Sequence, residues 1–288
     1  VVSTQSTGAS LQQYPIVIMH GINSNTTKMQ YVERTIREMY PNVPVFNIEI
    51  GNGIDDSKHM PLPDQLEEFV IKIRNINALS NGFAAQCHSQ GTLICRGYLQ
   101  KFNDPPIKRL ITTAGPLAGY YCGTFSSCPD PVGQQPNMQK LIDQLMYSER
   151  LQSSFTVANY WNSPFSRQKF LKHSNYLAEL NQEICLNESH RQNVLKLEIW
   201  VQVAAPEDDL IRPWDSAHFN FYKGETDELV EKMGDRAIYT EDRLGLKALN
   251  ESQRLVQIIA PGFDHHSFRK EQFQGWLREN VYKYLKNE

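Results

Sequence analysis

Between Gly82 and Tyr98 a short, mostly apolar strand pattern runs into His88-Ser89-Gln90-Gly91 and leaves with Leu93 and Ile94 at helical spacing. This is the pattern of a nucleophile elbow. There a serine sits on a strained strand-to-helix turn, its Oγ held at the end of a sheet and the next backbone N–H aimed at the reacting oxygen. The tight turn needs small residues two before and two after. Gly91 meets the need, and Cys87 stands where glycine is usual. A strand end carrying a solvent-facing serine would read much the same over five residues, so the partners of Ser89 must be sought elsewhere in the chain.

A serine hydroxyl is a poor nucleophile until a neutral imidazole takes its proton, and the imidazole needs a carboxylate to fix its tautomer. The expected chain order in a parallel α/β hydrolase sheet is serine, acid, histidine. Pro206-Glu207-Asp208-Asp209-Leu210-Ile211 supplies the acid after a late strand. Asp208 is preferred to Asp209 and Asp215, because it follows the turn directly and Ile211 returns the chain to the core. Pro261-Gly262-Phe263-Asp264-His265-His266 supplies the base after the last strand. Adjacent residues of an extended loop face opposite ways, so one histidine reaches the serine, and His265 is preferred. His88 is placed beside the elbow, exposed or packed on the sheet edge. His59, His173, His190 and His218 read as surface or structural residues. The oxyanion donors are expected to be the backbone N–H groups of Gln90 and of Ile22, which follows His20-Gly21 at the end of the first strand. His265 and His266 have no further ligand at metal-binding spacing, so neither a metal nor a cofactor is expected.

These residues need a scaffold. Apolar runs at Ile16–Met19, Pro44–Ile50, Gly82–Cys87, Ile107–Ala114, Lys196–Ala204 and Arg254–Ile259 alternate with helical patterns at 27–40 and from Asp64. Strands alternating with helices predict an α/β-hydrolase fold, a mostly parallel central sheet with helices on both faces. Working residues then collect beyond the carboxyl ends of the strands. From about 116 to 193 the pattern changes to aromatic-rich helical segments with no clean strand, read as a helical cap inserted into a single domain spanning 14–288. Residues 1–13 read as a flexible N-terminal segment. Each aromatic of the cap is first a core residue; as a group beside a nucleophile they fit a lipid or acyl substrate.

Composition excludes other classes. The 288 residues carry 29 basic and 32 acidic side chains, well mixed, for a net charge of −3, and no basic block would neutralise a row of phosphates, so nucleic acid is not an expected partner. The longest apolar runs are strand-sized, far below the ~18 residues that span a bilayer. Three N-x-S/T sequons, at Asn25, Asn187 and Asn250, a start at Val1 rather than methionine, and five cysteines point to the secretory route with N-linked glycans. Cys122 and Cys128 flank a loop short enough to close as a bridge. Cys87 and Cys95 form either a second bridge across the elbow or a pair of buried thiols, which leaves Cys185 unpaired.

Beyond the elbow the chain resembles the palmitoyl-protein thioesterases, lysosomal α/β-hydrolases that remove fatty acyl groups from cysteine. The resemblance runs from Ile16 onward. It rests on His20-Gly21, His88-Ser89-Gln90-Gly91, Tyr160-Trp161 with Pro164, His173-Ser174 through Leu177-Ala178 to Asn181-Gln182-Glu183, and Asn187-Glu188-Ser189. It continues in Phe219–Tyr222 and, most specifically, in Tyr239-Thr240-Glu241-Asp242-Arg243-Leu244-Gly245-Leu246-Lys247. The resemblance implies Ser89 as nucleophile, Asp208 as acid, His265 as base, a glycan at Asn187 and a bridge near Cys122 and Cys128. Cys87, Cys95 and Pro213-Trp214 are similar to the second branch of the family, whose members are closer to acyl-CoA thioesterases. The implied reaction is hydrolysis of a long-chain acyl thioester, S-palmitoyl cysteine or palmitoyl-CoA, through an acyl-serine, in the lysosome or after secretion. The rival readings are an oxygen-ester lipase or esterase and a catalytically idle acyl carrier.

Overall fold

The computed structural model describes residues 13–122 and 136–287. Six strands form one sheet: β1 (Ile16–Met19), β2 (Val45–Ile48), β3 (Phe83–His88), β4 (Ile107–Thr113), β5 (Ile199–Ala204) and, last in the chain, Leu255–Ile259. Two short strands, β6 (Phe221–Tyr222) and β7 (Val230–Glu231), form a separate antiparallel hairpin, so the last strand of the main sheet is β8. The main sheet runs β2-β1-β3-β4-β5-β8, and every pairing in it is parallel.

Parallel strands need covered faces, and the side-chain alternation of β1 shows how they are covered. Val17 and Met19 join one apolar cluster with Leu66 and Phe69 of the helix Leu62–Arg74 and Leu93 and Ile94 of the helix Gly91–Lys101. Ile16 and Ile18 join the other, with Val32 and Ile36 of the helix Gln30–Met39 and Leu277 of the helix Gln274–Asn280. Each fully buried aliphatic side chain of this kind contributes about 1.5–3 kcal/mol, which fixes the register: a one-residue slip would exchange the two faces. Lys196–Ala204 reads as alternating in sequence, yet β5 starts at Ile199 and is buried from Trp200 to Ala204. Its polar residue Gln202 is met inside by Gln257 of β8, whose Nε2 donates to Gln202 Oε1 at 3.0 Å.

Between β4 and β5 the described residues hold short helices, among them Pro136–Met146, Arg167–His173 and Glu188–Leu195, and an isolated bridge from Tyr120 to Trp161. Tyr147, Tyr160, Trp161, Phe170 and Tyr176 are buried in the larger apolar cluster, whereas Phe165 is exposed. Most of the described aromatics in this segment are thus core, the blander of the two readings. Residues 1–12, Cys128 and the remainder of 123–135 lie outside the described residues, and with them the flexible start and the Cys122–Cys128 bridge.

Candidate active site

The β3 strand delivers Ser89 onto a left-handed backbone, φ 55°. For a residue with a Cβ this conformation is costly and persists only where its surroundings over-determine it. Here the Ser89 amide donates to the Thr113 carbonyl at 2.9 Å, and Thr92 Oγ1 donates to the Ser89 carbonyl at 2.7 Å. Gly91 opens the following helix; a Cβ there would stand 2.2 Å from the His20 carbonyl oxygen. The glycine of the motif is a contact between the elbow and the first loop. On the other side of Ser89, Cys87 is bridged to Cys95, with Cα atoms 6.7 Å apart, so the strand end and the helix after it are covalently joined around Ser89. Of the two readings left open for this pair, the bridge is correct. Cys185 is an exposed free thiol.

Three side chains distant in sequence meet at the carboxyl ends of β3, β5 and β8. His265 Nε2 lies 2.9 Å from Ser89 Oγ, and His265 Nδ1 lies 2.8 Å from Asp208 Oδ2. All three residues are buried. An ionised carboxylate only accepts, so His265 carries its proton on Nδ1 and offers the Nε2 lone pair to the serine hydroxyl. The other carboxylate oxygen, Asp208 Oδ1, accepts from the amides of Leu210 and Ile211 at 2.9 and 2.8 Å. These bonds hold the carboxylate plane in place, and Asp209 and Asp215 make no contact with the imidazole among the described residues. His266 points elsewhere: Arg269 Nη2 donates to its Nδ1 at 2.7 Å.

The first loop lies directly against Ser89. A Cβ on Gly21 would stand 2.7 Å from Ser89 Cβ and 3.1 Å from its Oγ. The next residue is Ile22, and among the described residues neither its amide nor that of Gln90 donates to another group. The loop is held by His20, buried, whose Nδ1 lies 2.9 Å from the Gly21 carbonyl. The Gln90 side chain ties the elbow to the segment before the helix Leu62–Arg74, with Nε2 donating to the Ser57 carbonyl at 2.9 Å.

Sequence reasoning misplaced His88. It is neither exposed nor at a sheet edge: it is buried, its ring centroid 5.1 Å from that of His265 and 5.8 Å from that of Phe268. Thr113 Oγ1 donates to the Cys87 carbonyl at 3.3 Å, so it accepts from His88 Nδ1 at 3.2 Å. Burial, with the Arg269 guanidinium nearby, holds the His88 imidazole well below the ordinary histidine range. A neutral ring thus backs the His265 imidazole. Alternation would have placed residue 88 opposite residue 87; that signal does not say that the last side chain of a strand turns under the loop carrying His265.

The sequons differ in setting. Asn187 is exposed and caps the helix Glu188–Leu195 through its Oδ1, which accepts from the Ser189 and His190 amides. Asn25 is half-buried and its Oδ1 accepts from the Lys28 amide at 3.0 Å. Asn250 is exposed, with Nδ2 donating to Tyr239 Oη at 2.7 Å. Among the described residues no three metal-ligating side chains gather, and no helix is long and apolar enough to cross a membrane.

A family model described as palmitoyl protein thioesterase matches residues 15–265. Among curated proteins, palmitoyl-protein thioesterase 3 of Dictyostelium discoideum is 34% identical over 84% of this chain and 81% of its own length. Palmitoyl-protein thioesterase 1 of Caenorhabditis elegans is 31% identical over 88% and 87%. A lysosomal thioesterase PPT2 homolog of Drosophila melanogaster is 28% identical over 99% and 96%. Solved structures share the fold at low identity. A monoacylglycerol lipase of Paleococcus ferrophilus superposes with a TM-score of 0.53 at 12% identity, over 95% of each chain. An extracellular alpha/beta-hydrolase of a Paenibacillus species superposes at 0.50 and 15%, over 94% of this chain and 98% of that one. The sheet order, the elbow at the end of β3 and the match over residues 15–265 agree, and the chain belongs to the palmitoyl protein thioesterase family.

Proposed function

We propose that this protein is a serine hydrolase of long-chain fatty acyl thioesters, acting on S-palmitoyl cysteine or palmitoyl-CoA. The observation that carries the reading is the buried line from Ser89 Oγ through His265 to Asp208, in a chain whose relatives are named for this reaction. Ser89 Oγ attacks the thioester carbonyl carbon while His265 Nε2 takes the hydroxyl proton, and Asp208 stabilises the imidazolium that forms. The carbonyl oxygen gains its negative charge against the amides of Ile22 and Gln90. The C–S bond then breaks. A thiolate, with a reference pKa near 8.5, leaves far more readily than an amine, so protonation by His265 matters less here than in peptide cleavage. The departing thiolate takes that proton from His265, which returns the imidazole to its neutral form; water, deprotonated by it, then attacks the acyl-serine ester, and Ser89 Oγ recovers the proton as the fatty acid leaves. Burying about 14 methylenes at roughly 0.8 kcal/mol each offers up to about 11 kcal/mol for selecting long chains.

The same reading places the protein in the lysosome or along the secretory route, with N-linked glycans on Asn25, Asn187 and Asn250. The relatives named lysosomal thioesterases and the Cys87–Cys95 bridge support an oxidising compartment. The test is labelling by a fluorophosphonate probe together with turnover of palmitoyl-CoA, an S-palmitoyl peptide and a triacylglycerol. Both thioesters are turned over faster than the triacylglycerol, and Ser89→Ala loses the label and at least about 10³-fold in turnover while keeping its near-UV circular dichroism. Comparable thioester hydrolysis by Ser89→Ala would sink the assignment.

A further inference from the structure

Away from the Ser89 line, a cavity of about 470 Å³ opens between the segment following β4 and the β6–β7 hairpin. Neither Ser89, Asp208 nor His265 lines it. Three guanidinium-bearing residues do, Arg167, Arg236 and Arg243, with Phe221, Tyr222 and Ile238 forming an apolar part of the wall. Carboxylates line it too, so the pairing decides its sign. Arg167 is paired with Glu183, Arg243 with Glu241 at 2.7 Å, and Glu231 with Lys223 at 3.5 Å. The remaining lining acid, Glu225, is exposed.

Arg236 is the guanidinium left over. Among the described residues it has no carboxylate at ion-pair distance, and its hydrogen bond goes to the Phe219 carbonyl. Against the Phe219 ring lies Arg96, fully buried, its guanidinium 5.3 Å from the ring centre. Arg96 donates to the Leu117 carbonyl and to Asn181 Oδ1 at 2.8 and 2.7 Å and likewise meets no carboxylate. Burial, with repulsion from Arg236 added, pushes Arg96 down to about 9, and burial, partly opposed by the more distant Glu231, pushes Arg236 to about 10, so both remain charged at neutral pH. Arg236, part-buried on the cavity wall, is thus a cation without a bonded counter-charge, and a phosphate in the cavity would supply one. Arginine presents a planar fork matched to the oxygens of a phosphate, and the volume and partly apolar walls suit a small organic molecule rather than a bare ion.

We infer that this cavity is a second binding site, for a small phosphate monoester whose phosphate is held by Arg236 and flanked by Arg167 and Arg243. Titration calorimetry on the whole protein with glycerol 2-phosphate and with inorganic phosphate tests it. Both bind saturably, the monoester more tightly, and Ser89→Ala binds both as wild type does. Arg236→Gln weakens the monoester about 10- to 100-fold, the loss of a charge-assisted fork, while acyl thioester turnover serves as its check of folding. Glu231→Gln removes a negative charge from the wall and tightens binding about 2- to 5-fold. Absence of saturable binding, inorganic phosphate binding as tightly as the monoester, or Arg236→Gln binding like wild type each overturns the site. If Arg236→Gln does not fold, the Glu231→Gln arm decides, and affinity unchanged or weakened there overturns it equally.

Discussion

Asp208 is the residue at which geometry constrains chemistry most tightly, because each carboxylate oxygen has one assigned task. Oδ1 takes the Leu210 and Ile211 amides and Oδ2 takes His265 Nδ1. In Asp208→Asn the amide oxygen keeps the two backbone donors, since nothing else there can satisfy them, and the NH₂ group turns toward His265. It then donates to Nδ1, forces the proton onto Nε2, and leaves no lone pair for the Ser89 hydroxyl. The expected outcome is a fall of about 10³- to 10⁴-fold in kcat with unchanged thermal stability, read by steady-state hydrolysis of palmitoyl-CoA. A loss under tenfold would mean that the carboxylate does not set the tautomer. That Ser89, Asp208 and His265 meet was legible in the sequence, because each follows a strand whose apolar run announces its end. His88 was not, since its partners Thr113 and Phe268 come from β4 and the segment after His265, and no local spacing reports such contacts.

At the scale of elements, the elbow works because the loop after β1 and the helix after β3 touch. Gly91 is needed for that contact and not for its own backbone angle: a Cβ would meet the His20 carbonyl oxygen at 2.2 Å and the His20 carbonyl carbon at 3.0 Å, and a backbone carbonyl cannot rotate away as a side chain does. Gly91→Ala therefore pushes the His20–Ile22 loop off the nucleophile. It should cost about 1–3 kcal/mol in a denaturant midpoint, as overpacking does, and lower kcat further than stability, because the displaced loop carries the Ile22 amide proposed as an oxyanion donor. Normal kcat in Gly91→Ala would place that donor elsewhere. The main strands and the larger helices were readable because parallel strands buried on both faces leave continuous apolar runs. The β6–β7 hairpin was not: two residues per strand give no periodicity. Its position is set by contacts such as Asn220 Oδ1 accepting from the Met233 amide at 2.7 Å.

Over the whole molecule, the buried histidines tie stability to pH. Burial is the foremost cause that lowers His20, His88 and His218 below the ordinary value. Below about pH 6.5 the unfolded chain binds a proton at each of these positions while the folded protein does not. The unfolded state then holds more protons, so stability rises with pH: the contribution is complete above about 6.5 and is lost as pH falls through the lowered folded values. While a folded imidazole stays neutral, each one steepens the loss by about 1.4 kcal/mol per pH unit. Glu49 is also lowered, by the Thr26 amide foremost, but its contribution fails only below the carboxylate range, so the decline between pH 6.5 and 5 belongs to the histidines. An acidic lumen works against this fold, and the Cys87–Cys95 bridge acts in the opposite direction at every pH. Closing a loop with a sequence separation of 8 restricts the unfolded chain by about 2–3 kcal/mol in the chain-entropy account. The urea midpoint of the oxidised protein should therefore fall from pH 7.5 to pH 5.5. Cys87→Ala/Cys95→Ala should lower the midpoint at both values while leaving that pH slope unchanged. A midpoint that rises on acidification would show that the three imidazoles take up protons in the folded state.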